Sequence, residues 1–357
     1  MLNRRRRLGL AVLGCAGMAI AITNSPAPAW DRGDVETFAV LPQGTPKIEG
    51  LTVGEDGNVY VSTFDPTGSA PAQLFVFNDG GKLLRQVTIG GASPATLGLG
   101  FNPVTHQLLV IDFGAAKVLR VDPNTGGSSV FMTVTGAAGL NALTFDQSGN
   151  VYVSDSFQGI IWTTGPHGPM AGTVWKQDPL LTTTGTPPFG ANGIGFNKAR
   201  SAMFVANTGN DTLVQIAVTN VGGSLQAGAA SVFTNSINGA DGIVLDSSDN
   251  IWVAANQADE IVVVDSTGKA IAKLGDFNGV KNGVTRGLLF PASPAFSKDG
   301  SSLFVSNLEL DLRTIGLPQT VDSQWAAQVQ QHSIAKLRAR IPPLPAQQDQ
   351  NAQGIAR

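Results

Sequence analysis

Six segments of the chain repeat one pattern: a short apolar strand, a turn, and a second strand that ends on a V-x-x polar step. They read GLTVGEDGNVYVST from Gly50, GLGFNPVTHQLLVID from Gly98 and ALTFDQSGNVYVSD from Ala142. The others are GIGFNKARSAMFVAN from Gly193, GIVLDSSDNIWVAA from Gly242 and SPAFSKDGSSLFVSN from Ser293. Successive starts lie 44 to 51 residues apart, the spacing of propeller blades made of four strands. Asp56-Gly57, Gly149-Asn150 and Asp299-Gly300 sit between apolar runs, where a tight hairpin needs positive φ. Third strands follow at QLFVFN from Gln73, KVLRVDP from Lys117 and EIVVVDS from Glu260. Fourth strands follow at LLRQVTI from Leu83, SSVFMTV from Ser128 and ASVFTN from Ala230. With 43 glycines and 20 prolines, the composition suits many short strands and turns. The expectation is an all-β fold: a six-bladed β-propeller with four-stranded blades.

An open ring would leave exposed sheet edges. The last repeat has strand character near Leu303 and from Ser333 to Ile341, and lacks a fourth strand. The segment Val35 to Leu41 precedes the first repeat and has strand character. It is expected to complete the sixth blade and lock the two ends of the domain together. Residues 311–331 form a longer insertion, helical around Ser323 to Gln331. Residues 342–357 are rich in Pro and Gln and are expected to be disordered.

Residues 1–29 read as a secretory signal peptide. Arg4 to Arg7 form a positive segment, Leu8 to Ile22 an apolar one, and Ala27-Pro28-Ala29 a cleavage site. The propeller domain then spans residues 30–341, and the protein is secreted or periplasmic. The arginine run weakly resembles a twin-arginine signal. Val12-Leu13-Gly14-Cys15 weakly resembles a lipid-attachment motif, so an anchor at Cys15 is the lesser alternative. Cys15 is the only cysteine, so cleavage at Ala29 leaves no disulfide and no thiol chemistry. Cleavage removes four arginines and takes the formal net charge from −3 to −7. No basic stripe invites nucleic acid, and no second apolar run offers a membrane span. The expected partner is a small molecule and the expected state a monomer.

The repeats also place polar residues in phase. They align without gaps on Val53, Phe101, Phe145, Phe196, Leu245 and Phe296. Counting back four reaches Glu49, Leu97, Asn141, Asn192, Asp241 and Ala292. In a propeller the first strand is innermost, so these positions ring the mouth of the central channel. Converging carboxylates repel and raise each other's pKa, and a divalent cation removes that penalty. Two carboxylates and two amide carbonyls form an oxygen-rich set suited to hard cations. Calcium fits best. Magnesium, manganese and zinc are alternatives, zinc the poorest because no His or Cys falls in the ring. Each Asn-Gly or Asp-Gly pair is, by itself, also an ordinary turn dipeptide.

A second polar set, Asp112, Asp155, Asn207, Asn256 and Asn307, ends the second strands on the same face, with Asp65 in a longer loop. These residues and Arg286 are candidate substrate contacts. His106, His167 and His332 fall away from the predicted mouth and read as surface residues, so a Ser-His-Asp triad is poorly supported.

Glu49-Gly50, Asn192-Gly193-Ile194 and Asp241-Gly242-Ile243, with Asn141 between them, resemble the signatures of the regucalcin/gluconolactonase family of six-bladed propellers. The spacings resemble the family's too, across essentially the whole mature chain. The resemblance implies a calcium or other divalent ion held by Glu49, Asn192 and Asp241, with Asn141 as ligand or substrate contact. It implies hydrolysis of a sugar lactone or related ester, with Asp241 as the candidate base for water. Where the family has a substrate-contacting arginine, Gly139 and Leu140 stand. Lys47 and Arg286 lie on loops of the same face and are possible substitutes. The alternative function is a non-enzymatic ligand- or protein-binding propeller in which calcium is structural.

Overall fold

The computed structural model describes residues 32–136 and 138–341. The expected signal peptide, Cys15 and the Pro/Gln-rich tail lie outside the described residues. Six sheets follow one another around a central channel. Their innermost strands are Lys47–Val53, Thr96–Phe101, Leu140–Phe145, Ala191–Phe196, Ala240–Leu245 and Pro291–Phe296. Each pairs antiparallel with the next strand in sequence, then the next, so every blade is a meander. The turns follow the sequence: Gly57 and Gly149 adopt φ of +80° and +78°, where a β-carbon would be strained.

The sixth blade is closed by the opposite end of the domain. Val35–Val40 pairs antiparallel with Ser333–Arg338 and forms that blade's outer strand. Phe38 lies against Phe304, with ring centroids 4.4 Å apart, and Leu41 is fully buried.

The core is divided among the blade interfaces. Five apolar clusters each join two adjacent blades, and a sixth gathers residues of blades one, two, three and six. One of the five, for example, sets Ile48, Val59 and Phe75 of blade one against Ala295, Phe304 and Ile334 of blade six. Near-continuous apolar second strands such as Leu108–Asp112 and Val151–Asp155 are buried along their whole length. This is the signature of strands packed on both faces. Hydroxyl groups add polar ties between blades. Ser62 Oγ donates to Leu97 O at 2.7 Å, Ser156 Oγ to Ala191 O at 2.6 Å, and Thr208 Oγ1 to Ala240 O at 2.8 Å. Ser306 Oγ donates to Glu49 O at 2.5 Å across the closing interface.

Three features differ from the sequence reading. In the insertion the α-helix is Val321–Ala326, earlier and shorter than expected. Thr320 caps it with a reciprocal Ser323 bond, and a 3-10 turn, Leu312–Ile315, precedes it. The strands Phe277–Lys281 and Val284–Gly287 form an extra hairpin between blades five and six. Met170–Ala171 adds a short parallel strand to the edge of blade two. Among the described residues, no helix is long and apolar enough to cross a membrane.

Candidate metal centre

In all six blades the register between the innermost and second strands slips at the same place. Pairing stops at Ile48, Thr96, Leu140, Ala191, Ala240 and Pro291. It resumes at Leu51, Leu99, Leu143, Ile194, Ile243 and Pro294. The two residues skipped in each blade are the ring position and its successor. Such bulges re-aim side chains, and here they free Glu49, Asn141, Asn192 and Asp241 from the ladder.

The glycine that follows most ring residues is there for close approach. A β-carbon on Gly50 would sit 2.1 Å from Leu97 O, one on Gly98 2.8 Å from Asn141 O, and one on Gly193 2.5 Å from Asp241 O. These contacts are to backbone of the next blade and cannot be relieved by a side-chain rotation. None of the three glycines has positive φ. The Glu-Gly, Asn-Gly and Asp-Gly pairs are therefore packing motifs, and the turn-dipeptide reading does not apply to them.

Glu49, Asn141, Asn192 and Asp241 are each at most 5 % exposed and line one cavity of about 50 Å³, together with Leu97 and Asn256. The hydroxyls that tie the blades also orient the amides. Ser156 Oγ spends its proton on Ala191 O, so it can only accept from Asn141 Nδ2, at 3.3 Å. Thr208 Oγ1 likewise gives its proton to Ala240 O and accepts from Asn192 Nδ2 at 3.0 Å. Each amide thus places one N–H on an inter-blade hydroxyl. Asn256 Nδ2 donates to Asp241 Oδ2 at 2.9 Å. Glu49 Oε2, Asn141 Oδ1 and Asp241 Oδ1 are left buried with no hydrogen-bond partner in the protein. Buried polar atoms are almost always partnered. These orphaned oxygens of ring residues around one small cavity, with Asn256 Oδ1 beside them also unpartnered, fit a hard cation that takes oxygen ligands.

The electrostatics agree. Burial, and then the charge of Asp241, push the Glu49 carboxyl well above its ordinary value. Burial pushes Asp241 up to about 7, against the opposing effect of hydrogen bonds from Asn256, Asn192 and the Gly242 N–H. With no cation bound, the folded protein holds protons here that the unfolded chain sheds near pH 4. The folded state then binds more protons than the unfolded one, so this contribution to stability is full below about pH 4 and is lost as pH rises through about 7. In chelator, the melting temperature is expected to fall from about pH 5 to about pH 8, and calcium is expected to reverse the fall. Asp259, raised to about 7 by burial, shares the direction. The slope is therefore read against Asp241→Asn, and equal slopes in the two proteins would count against the ring's role.

The other predicted contacts have different surroundings. Asp112 accepts from Ser93 N at 3.1 Å and Ala115 N at 3.2 Å, and pairs with Lys117 at 3.3 Å. Asp155 accepts from the N–H groups of Gly139, Phe157 and Gln158 and from Trp162 Nε1. Asn207 bridges the carbonyls of Leu180 and Thr182 and accepts from Asn210 N. Asn307 donates to Gly287 O and Ser333 Oγ and accepts from Leu289 N. These four brace loops. Asp65 caps its own loop through Thr67, Ser69 and Ala70. Arg286 is exposed on the extra hairpin beside Thr37, away from the cavity. Of this set Asn256 is the residue that lines the cavity.

His332 was read as a surface residue and is not one. It pairs through Nδ1 with Glu309, which is fully buried and also accepts from Thr285 Oγ1. Lys47 Nζ donates to Glu309 O at 2.7 Å. Glu309 and His332 flank the insertion in sequence, and the insertion carries no repeat pattern that would have placed the pair. A larger void of about 240 Å³ occupies the other end of the channel, among Val53, Phe101, Phe145 and Phe196. The four ring residues line the smaller cavity and not this one.

Residues 115–275 match the family model described as the SMP-30/Gluconolactonase/LRE-like region. The matched stretch holds Asn141, Asn192 and Asp241, and Glu49 precedes it. Solved structures with the same fold include a luciferin-regenerating enzyme, 14% identical with a TM-score of 0.59, over 88% of this chain and 97% of that one. Regucalcin of Agrobacterium tumefaciens, described as a calcium-binding protein, is 18% identical with a TM-score of 0.56, over 87% and 99%. A gluconolactonase of Xanthomonas campestris is 14% identical with a TM-score of 0.56, over 87% and 89%. At these identities the likeness shows the fold. No curated protein sequence matches the chain.

Proposed function

We propose that this protein is a divalent-cation-dependent hydrolase of lactones or related esters, with calcium as its ion. The observation that carries this reading is the set of orphaned, buried oxygens of Glu49, Asn141 and Asp241 in one cavity. Glu49, Asn141, Asn192 and Asp241 would hold the ion. A cation bound there would polarise an ester carbonyl and offset the charge that develops on its oxygen. Asp241, held through Oδ2 by Asn256 and offering Oδ1 to the ion, would also orient a water toward the carbonyl carbon as the candidate base. The gluconolactonase among the structural relatives, and the family match, support the lactone class. Export, read from residues 1–29, belongs with this reading, because extracellular calcium fills even modest sites.

The ring is also embedded in the inter-blade ties, Ser306 to Glu49 O and Thr208 to Ala240 O. That favours a second reading, in which the ion braces a binding propeller. A pH-indicator screen of lactones and aryl esters separates the two. The hydrolase reading expects turnover that chelator abolishes and calcium restores. Calcium binding with no turnover across the panel would leave only the structural reading.

A further inference from the structure

Beside its oxygen-rich ring, the small cavity is apolar. Its walls are Phe64, Leu97, Phe113, Phe189, Leu308 and Leu310, and none of its lining residues is Lys, Arg or His. The hydroxyl of Thr208 and the amide N–H groups of Asn141, Asn192 and Asn256 are used within the protein. The ring thus offers oxygens for a cation, and the walls offer almost nothing to a polyol. A void of about 50 Å³ has room for a few water-sized groups, so a substrate's reacting carbonyl would enter it and the remainder would lie outside.

At the cavity's rim the wall rings Phe64, Phe113 and Phe189 continue into Phe157, which lies beyond the cavity lining, and together they form a shelf of phenylalanines. Phe157 stacks on Phe189 at 5.7 Å, meets Phe113 edge-on at 5.8 Å, and Phe113 reaches Phe64 at 6.3 Å. Phe157 is 50% exposed, and Phe113 and Phe189 are partly buried. The shelf is built rigidly. Asp112 caps the turn that begins with Phe113, and Asp155 accepts from the N–H of Phe157. The Phe157 ring lies on Gly139, where a β-carbon would come within 2.7 Å of it. Half-exposed rings give the fold little, but a ligand that covers them removes apolar surface from water.

We propose that the substrate of this site carries an apolar group, aromatic by preference, that lies on the Phe113–Phe157–Phe189 shelf while its carbonyl faces the ring. This rests on the hydrolase reading for the carbonyl, but the apolar preference stands on the walls alone. The test is calorimetric binding of two uncleaved lactone mimics to the calcium-loaded protein: a phenyl-substituted δ-valerolactam and gluconolactam. The phenyl lactam is expected to bind at least about tenfold tighter. Phe157→Ala, at a half-exposed loop position outside the cavity lining, is expected to cut that preference by about tenfold with calcium affinity unchanged. Equal binding, preference for gluconolactam, or no binding of the phenyl lactam would overturn the proposal. If the phenyl lactam binds with this preference and no lactone is hydrolysed, the hydrolase reading falls and the shelf stands. If gluconolactone is turned over in preference to phenyl lactones, the reverse holds.

Discussion

Asp241→Asn is expected to abolish the rise in melting temperature that calcium gives the wild-type protein. The replacement is nearly isosteric, and its amide oxygen can still accept from Asn256 Nδ2, which now bonds Asp241 Oδ2. Its NH₂ group would then face the cavity where Asp241 Oδ1 now lies without a partner. One of the two ring carboxylates is lost and a donor is turned toward the cation. Calcium affinity in oxygen sites is set over decades by ligand charge, so a loss of at least about a hundredfold is expected. Calcium at about a hundred times Kd adds ~2.7 kcal/mol to the wild type. For a domain of this size that is a shift of about 5 °C. The calcium-free variant is expected to move the other way at about pH 8, becoming more stable than calcium-free wild type. Glu49 loses the buried charge that repels it. Opposite signs with and without calcium are difficult to obtain from a general packing defect. An undiminished calcium shift in Asp241→Asn would remove this residue from the site.

Deleting residues through Leu41 is expected to prevent the propeller from folding. Val35–Val40 is the outer strand of blade six, and without it Ser333–Arg338 becomes an unpaired edge. The deletion also removes the Phe38–Phe304 contact and the fully buried Leu41. Leu41 N donates to His332 O at 2.9 Å, so the Glu309–His332 pair loses its brace too. Burial of Leu41 alone is of the kind that costs about 2–5 kcal/mol when truncated to Ala. The whole strand exceeds the margin by which most domains are stable. The expected product is aggregated or unfolded by size exclusion and circular dichroism. A soluble truncated chain with wild-type melting behaviour would contradict the closure. Leu41→Asp, which keeps the chain length, is expected to give the same result in milder form.

Both predictions draw on features that the sequence carries unequally. The repeat pattern placed the six innermost strands, and the in-phase count from Val53, Phe101, Phe145, Phe196, Leu245 and Phe296 reached residues that converge in space. Periodicity was enough because one repeat position has one radius in a radial fold. The common bulge was not legible, since Glu49-Gly50 and Asn192-Gly193 look like turn dipeptides until the next blade's carbonyl is seen against the glycine. The loops misled more. Asp112 and Asp155 suggested polar contacts, yet their carboxylates cap turns that present Phe113 and Phe157. The signal was available in the phenylalanines that follow them, at positions where solvated turns rarely place aromatic rings. The Glu309–His332 pair was out of reach because its two residues flank an insertion with no repeat.

The central claim is that Glu49, Asn141, Asn192 and Asp241 hold one divalent cation. Calorimetric titration of chelator-stripped protein with calcium tests it most directly, run at about pH 7 in two buffers of different ionisation enthalpy. The prediction is one site per chain, with protons released on binding because Asp241 titrates near 7 in the empty ring. Absence of any binding heat in both buffers, with no calcium-dependent shift in melting temperature, would contradict the account.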